Sequence, residues 1–290
     1  MKYKSWKCNL LFLLSRITLS KEFKMLCKEY LKVRDNAPEM AKQAWQCFTD
    51  NYKLRKKYSG QYKIISLGWN CMPRTLLTLW MLKPSKGSGE KGMPFDLIGT
   101  SPGAVAHFLE NDFADYFAGK WVYKTLNGYT CWYNEIRDNI SYPHEHWCDS
   151  TAEGLKALQK RVAERINNFR EAMAFEGPVL FVCNKSKLWD TIPLDHKTED
   201  IEDVCREIAR LRGGKPFKIV VWACNHNDEC EKIEGAKLLK ILYPHAQYIW
   251  HREERFTPAG VKFEIELMNA CRDALEELIT ESKNTGKKPL

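Results

Sequence analysis

Nothing at the start of this chain is long or apolar enough to span a bilayer. The opening stretch Leu10-Leu11-Phe12-Leu13-Leu14 is broken at Arg16, and no small-residue cleavage site follows. No internal repeat is visible. The glycine-rich segment 83–92 lacks the G-x-x-x-x-G-K-[ST] order of a phosphate-binding loop. It reads as a polar, mobile connection. No nucleic-acid reader motif occurs either, and the body of the chain lacks the charge such a role needs. Residues 1–61 hold 14 Lys or Arg against 5 Asp or Glu, an excess of nine that exceeds the +8 of the whole chain. The remainder is close to neutral, so the basic character belongs to the amino-terminal part and not to a cleft in the main body.

The 11 cysteines are odd in number and irregularly spaced over 290 residues. Small disulfide scaffolds are shorter and denser in cysteine, so the expectation is free thiols in a reducing, cytoplasmic setting. The basic, partly apolar amino-terminal helix leaves two docking surfaces open, an anionic membrane face or a protein. Residues 1–60 are therefore read as a basic helical extension and residues 61–290 as the main domain.

Several elements can be placed by periodicity. Residues 20–58 are predicted to be helical with a break at Pro38, 62–67 a strand, 73–82 a helix, 104–118 a helix and 151–176 a long amphipathic helix. The aromatic segment 119–147 reads as short antiparallel strands or a pocket wall. Strands are then predicted at 178–183, 218–224 and 247–250, followed by helices near 199–212, 229–242 and 260–280. Continuous apolar strands alternating with helices argue for a mostly parallel sheet covered on both faces, a three-layer α/β fold. Such sheets place reactive groups at the carboxyl ends of strands.

One segment lies at such an end. Ser66-Leu67-Gly68-Trp69-Asn70-Cys71 leaves the first strand and enters a helix. The helix dipole and unpaired amides there are expected to favour a thiolate at Cys71, although cysteine is most often a small buried hydrophobe. A thiol nucleophile needs a base. The chain has seven histidines, and the Pro143-His144-Glu145-His146-Trp147 cluster closing the aromatic segment offers two of them. Taken alone, such a cluster reads first as a polar surface loop.

The combination of the 66–71 segment, Met93-Pro94-Phe95-Asp96 and the histidine cluster resembles a bacterial domain family described as papain-like cysteine peptidases. The resemblance covers about residues 62–255 and implies a Cys71 nucleophile, a His144 base and Asp96 as the acidic partner. Where that family has His followed by Asp and an aromatic, this chain has Glu145 and His146 in place of those two, so His144 and His146 both stay open as the base. The name also implies a papain-like α+β fold, as the alternative to the parallel sheet that periodicity supports. Cys-dependent hydrolysis or acyl transfer is the function implied, on a peptide, acyl or glycan-linked substrate and without a cofactor.

Asn70, His146, Asn184, Asn225, Arg252 and Arg255 are read as substrate-facing. The two arginines are read so because a guanidinium pairs bidentately with carboxylate or phosphate. Cys224-Asn225-His226-Asn227-Asp228-Glu229-Cys230 has no zinc spacing, and no metal site is expected. The competing reading is a non-catalytic, sugar-nucleotide-binding α/β module acting with envelope-glycan enzymes, with its ligand near Asn184, Asn225 and Arg252.

Overall fold

The computed structural model describes residues 21–126, 129–136, 140–145, 147–187, 194–245 and 253–285. Its centre is a four-stranded parallel sheet in the order β1 (Lys63–Ser66), β5 (Val179–Asn184), β8 (Phe217–Ala223), β9 (Lys237–Lys240). The register sets Ile65 against Phe181, Phe181 against Ile219 and Val220 against Lys237.

Alternate residues of the central strands serve two separate cores. Ile64, Leu180, Val182, Val220 and Trp222 face one side. There they meet α1 (Lys21–Asn36), α2 (Ala41–Lys57), α3 (Met72–Leu79) and α7 (Pro258–Thr285). Ile65, Phe181, Cys183, Ile219 and Val221 face the other side. They pack on α4 (Pro102–Glu110), α5 (Ala152–Ala174) and α6 (Thr198–Arg212). Both faces are apolar because both are covered, which is why the strands read as unbroken hydrophobic runs. The fold is thus a three-layer α/β sandwich. The helices of the basic segment contribute Leu26, Val33, Ala44, Cys47 and Phe48 to the same core as the sheet.

A small antiparallel sheet of β2 (Trp121–Leu126), β3 (Tyr129–Asn134) and β4 (Ile140–Ser141) accounts for the aromatic segment. A two-residue pair, β6 (Ser186–Lys187) and β7 (Leu194–Asp195), follows the end of β5.

Two expected helices differ from the observed chain path. Residues 229–242 are not a helix: the chain runs through turns to β9, which joins the sheet edge directly. Asn225 and Asp228 turn the backbone, accepting from the amides of Asn227 and Cys230, and Gly235 adopts φ +79°. Little apolar periodicity remains to stabilise a helix after that. The helix expected over 104–118 ends at Glu110, because Asp112 and Phe113 take positive φ. The strand expected at 247–250 lies outside the described residues. No described helix is long and apolar enough to cross a membrane.

Candidate active site at the end of the first strand

The turn after β1 is tight for a local reason. A Cβ at Gly68 would collide with the backbone oxygen of Asn70, so only glycine lets the chain fold back there. Two bonds pin the next residues. Trp69 Nε1 donates to the carbonyl of Asn184 at 2.5 Å, fastening the turn to the end of β5. Asn70 Oδ1 accepts from the Met72 amide at 2.9 Å, satisfying one of the unpaired donors that open α3. Cys71 occupies the cap position of α3 and is 7 % exposed.

His144 sits on the turn after β4, and its Nε2 lies 2.9 Å from Cys71 Sγ. Residues 73 positions apart in sequence are thereby brought into hydrogen-bond contact. The segment 93–100 joins their two turns. Gly99 and Ser141 exchange backbone bonds at 3.0 and 2.8 Å, and the Thr100 amide donates to the Trp69 carbonyl at 3.2 Å. One loop therefore holds the cysteine turn on one side and the histidine strand on the other.

Asp96 anchors that loop from beneath. It is 1 % exposed and accepts from the Ser66 hydroxyl and, at 3.0 Å, from the Met93 amide. Arg74 Nε lies 3.3 Å away and Lys83 Nζ 4.0 Å. Burial alone would push its carboxyl up, but Lys83, Arg74 and the two hydrogen bonds hold it below the usual carboxylate range. Lys83 also pairs with Glu90 at 3.4 Å, so two cations and two carboxylates balance in this interior. The family resemblance casts Asp96 as the acidic partner of the pair. Its bonds here make it a brace for the turn that carries Cys71.

A helix start is a position expected to favour thiolate at Cys71. Burial instead pushes the thiol up to about 12, and the charge of Asp96 adds to the rise. Desolvation is the larger cause of the rise; at the start of α3 the Met72 amide is already bonded to Asn70 Oδ1 and Pro73 has no N–H. At rest Cys71 Sγ and His144 Nε2 are in hydrogen-bond contact at 2.9 Å.

From sequence, Glu145 is no more than a substitution within a motif. In the fold it is 7 % exposed, forms an ion pair with Arg165 of α5, lies 3.5 Å from Arg161, and accepts from Trp147 Nε1 at 2.6 Å. These contacts tie the His144 turn to α5. A carboxylate next to the base, with arginines one helical turn apart at 161 and 165, is the signal the sequence offers.

The remaining substrate-facing candidates divide. Asn184 is fully buried, and its Nδ2 donates to the Ser186 carbonyl at 3.0 Å. Ser186 Oγ accepts from the Cys224 and Asn225 amides at 3.1 and 3.3 Å, bracing the ends of β5 and β8 together. Arg255 does make the expected bidentate pair with a carboxylate, but the carboxylate is Glu264 of the same chain, at 2.9 Å for both bonds. Glu29 of α1 takes its remaining side at 2.8 Å. Arg255 is therefore a buried tie between α1 and α7, not a substrate contact. His146 and Arg252 lie outside the described residues.

No grouping of metal-ligating side chains occurs among the described residues. A cavity of about 310 Å³ opens at the other end of β1, between Tyr62, Glu90 and Phe175, away from the cysteine turn. No family model, no curated protein and no solved structure matches the chain.

Proposed function

We propose that the protein is a cysteine-dependent hydrolase or acyltransferase, with Cys71 as nucleophile and His144 as general base. The observation that carries this reading is the 2.9 Å contact between Cys71 Sγ and His144 Nε2 at the carboxyl edge of a parallel sheet. His144, in contact with the sulfur, takes the thiol proton as the sulfur attacks the acyl carbon. The S–C bond to the acyl carbon forms while the carbonyl π pair moves onto oxygen. Collapse of that adduct expels the leaving group, which takes the proton back from His144. Water, deprotonated by the same imidazole, then cleaves the thioester and restores the thiol.

A peptide, an activated ester or a glycan-linked acyl group would each fit this chemistry. Incubation with p-nitrophenyl acetate should release one equivalent of nitrophenolate in a burst, with the acetyl group on Cys71 by mass spectrometry. His144→Ala should slow the burst by about 10²- to 10⁴-fold, the usual worth of a positioned base. An acetyl group found elsewhere, or a burst unchanged in the His144 variant, would overturn the assignment.

A further inference from the structure

A tetrahedral adduct on Cys71 carries a negative oxygen that needs hydrogen-bond donors in a dry site. The first turn of α3 would ordinarily supply them, but the Met72 amide already donates to Asn70 Oδ1 and Pro73 has none. The other end of the Asn70 amide is not committed by that capping bond. Asn70 is 4 % exposed, and its Nδ2 has no hydrogen-bond partner. A buried amide donor left unpaired is costly and uncommon in folded proteins.

Its orientation is not arbitrary. Met72 N–H can be accepted only by the oxygen of the amide, so the cap bond settles which end is nitrogen, on the residue next to Cys71 in sequence.

Resting on the thiol-hydrolase reading, we infer that Asn70 Nδ2 is the oxyanion donor for acyl transfer at Cys71. The capping bond and the catalytic bond come from one side chain: its oxygen serves the helix and its nitrogen serves the reaction. The assignment adds a third residue that touches the reacting atoms. It also explains why a helix with so few free amides can open an acyl-transfer site.

Two reagents separate this role from a structural one. p-Nitrophenyl acetate reacts through a tetrahedral oxyanion, whereas iodoacetamide alkylates the same sulfur by direct displacement with none. Asn70→Ser keeps an oxygen able to cap the helix but loses the amide donor. Asn70→Asp keeps the cap oxygen and puts an acceptor where the donor was. Both variants should lose about 10²-fold in acetylation of Cys71, the typical worth of one oxyanion donor, while alkylation of Asn70→Ser stays within about threefold of wild type.

Thermal melting of both variants checks that they are folded. Acetylation and alkylation that fall in parallel, or acetylation unchanged in Asn70→Ser, would overturn the role of Asn70. Wild-type protein in which Cys71 reacts with neither reagent would instead defeat the hydrolase reading, and this inference with it.

Discussion

After β1 the chain reads Trp69-Asn70-Cys71, and after β8 it reads Cys224-Asn225-His226, so cysteine and asparagine recur at the same edge of one sheet. Behind β8 the polar groups look inward. Ser186 satisfies the Cys224 and Asn225 amides, and Asn225 Oδ1 closes its own turn on Asn227 at 3.1 Å. His226 Nε2 meets the Tyr243 carbonyl at 2.7 Å, while Cys224 is packed in the core. Behind β1 the histidine comes from another sheet and meets the sulfur, and one amide donor is left over. Residue types alone do not separate a site from a braced loop. What separates them is the histidine that the fold brings to the sulfur of Cys71.

The sharpest way to break this contrast is to remove each cysteine. Cys71→Ala should abolish the nitrophenolate burst, whereas Cys224→Ala should leave it intact, since the latter side chain is packed in the core. A burst that survives the first change, or vanishes with the second, ends the comparison.

The next effect is on stability. Asp96→Asn leaves Arg74 and Lys83 buried without their shared carboxylate, and breaking such a set costs about 3–5 kcal/mol. Urea unfolding measures it. The sign with pH follows from the lowered carboxyl: this stabilisation is fully present above the unfolded value of 3.8 and is lost as pH falls through the lower folded value. Wild-type protein should therefore lose this increment on acidification, and the Asp96→Asn variant should not.

Smaller effects are expected from Glu145→Gln, which weakens the tie between the His144 turn and α5. A loss of about 1–3 kcal/mol, with slower acetylation of Cys71, would fit a positioning role. Urea midpoints and burst rates together report both. Asn225→Ala should be the mildest, costing about 1 kcal/mol with no change at Cys71.

Much of this architecture is readable from the sequence, because β1, β5 and β8 are buried on both faces and must be continuous apolar runs. The long helix at 152–174 declares itself through Leu158, Val162, Ile166 and Phe169 on one stripe. The stretch after β8 misleads because β9 is an edge strand whose Leu238 and Leu239 are only half buried, so its alternation is weak. At the site, Cys71 and the histidine cluster can be picked out one by one, and the family resemblance pairs them, but the contacts that bring them together cannot be read. These are the Gly99–Ser141 bridge and the Thr100–Trp69 bond, backbone contacts that no side chain announces. Asp96 is legible as a motif residue but not as a brace, since its partners Ser66, Arg74 and Lys83 come from three separate segments.

The rate of Cys71 alkylation by iodoacetamide as a function of pH, in wild type and His144→Ala, bears most directly on the pair. With the thiol pushed up to about 12, the wild-type rate should climb steadily from pH 6 to about 10 with no acid plateau, and His144→Ala should be slower near neutrality. A fast plateau below neutral pH would contradict the raised thiol and require a standing thiolate. Labelling that appears only when the protein unfolds, unchanged by His144→Ala, would reduce Cys71 to a packing residue.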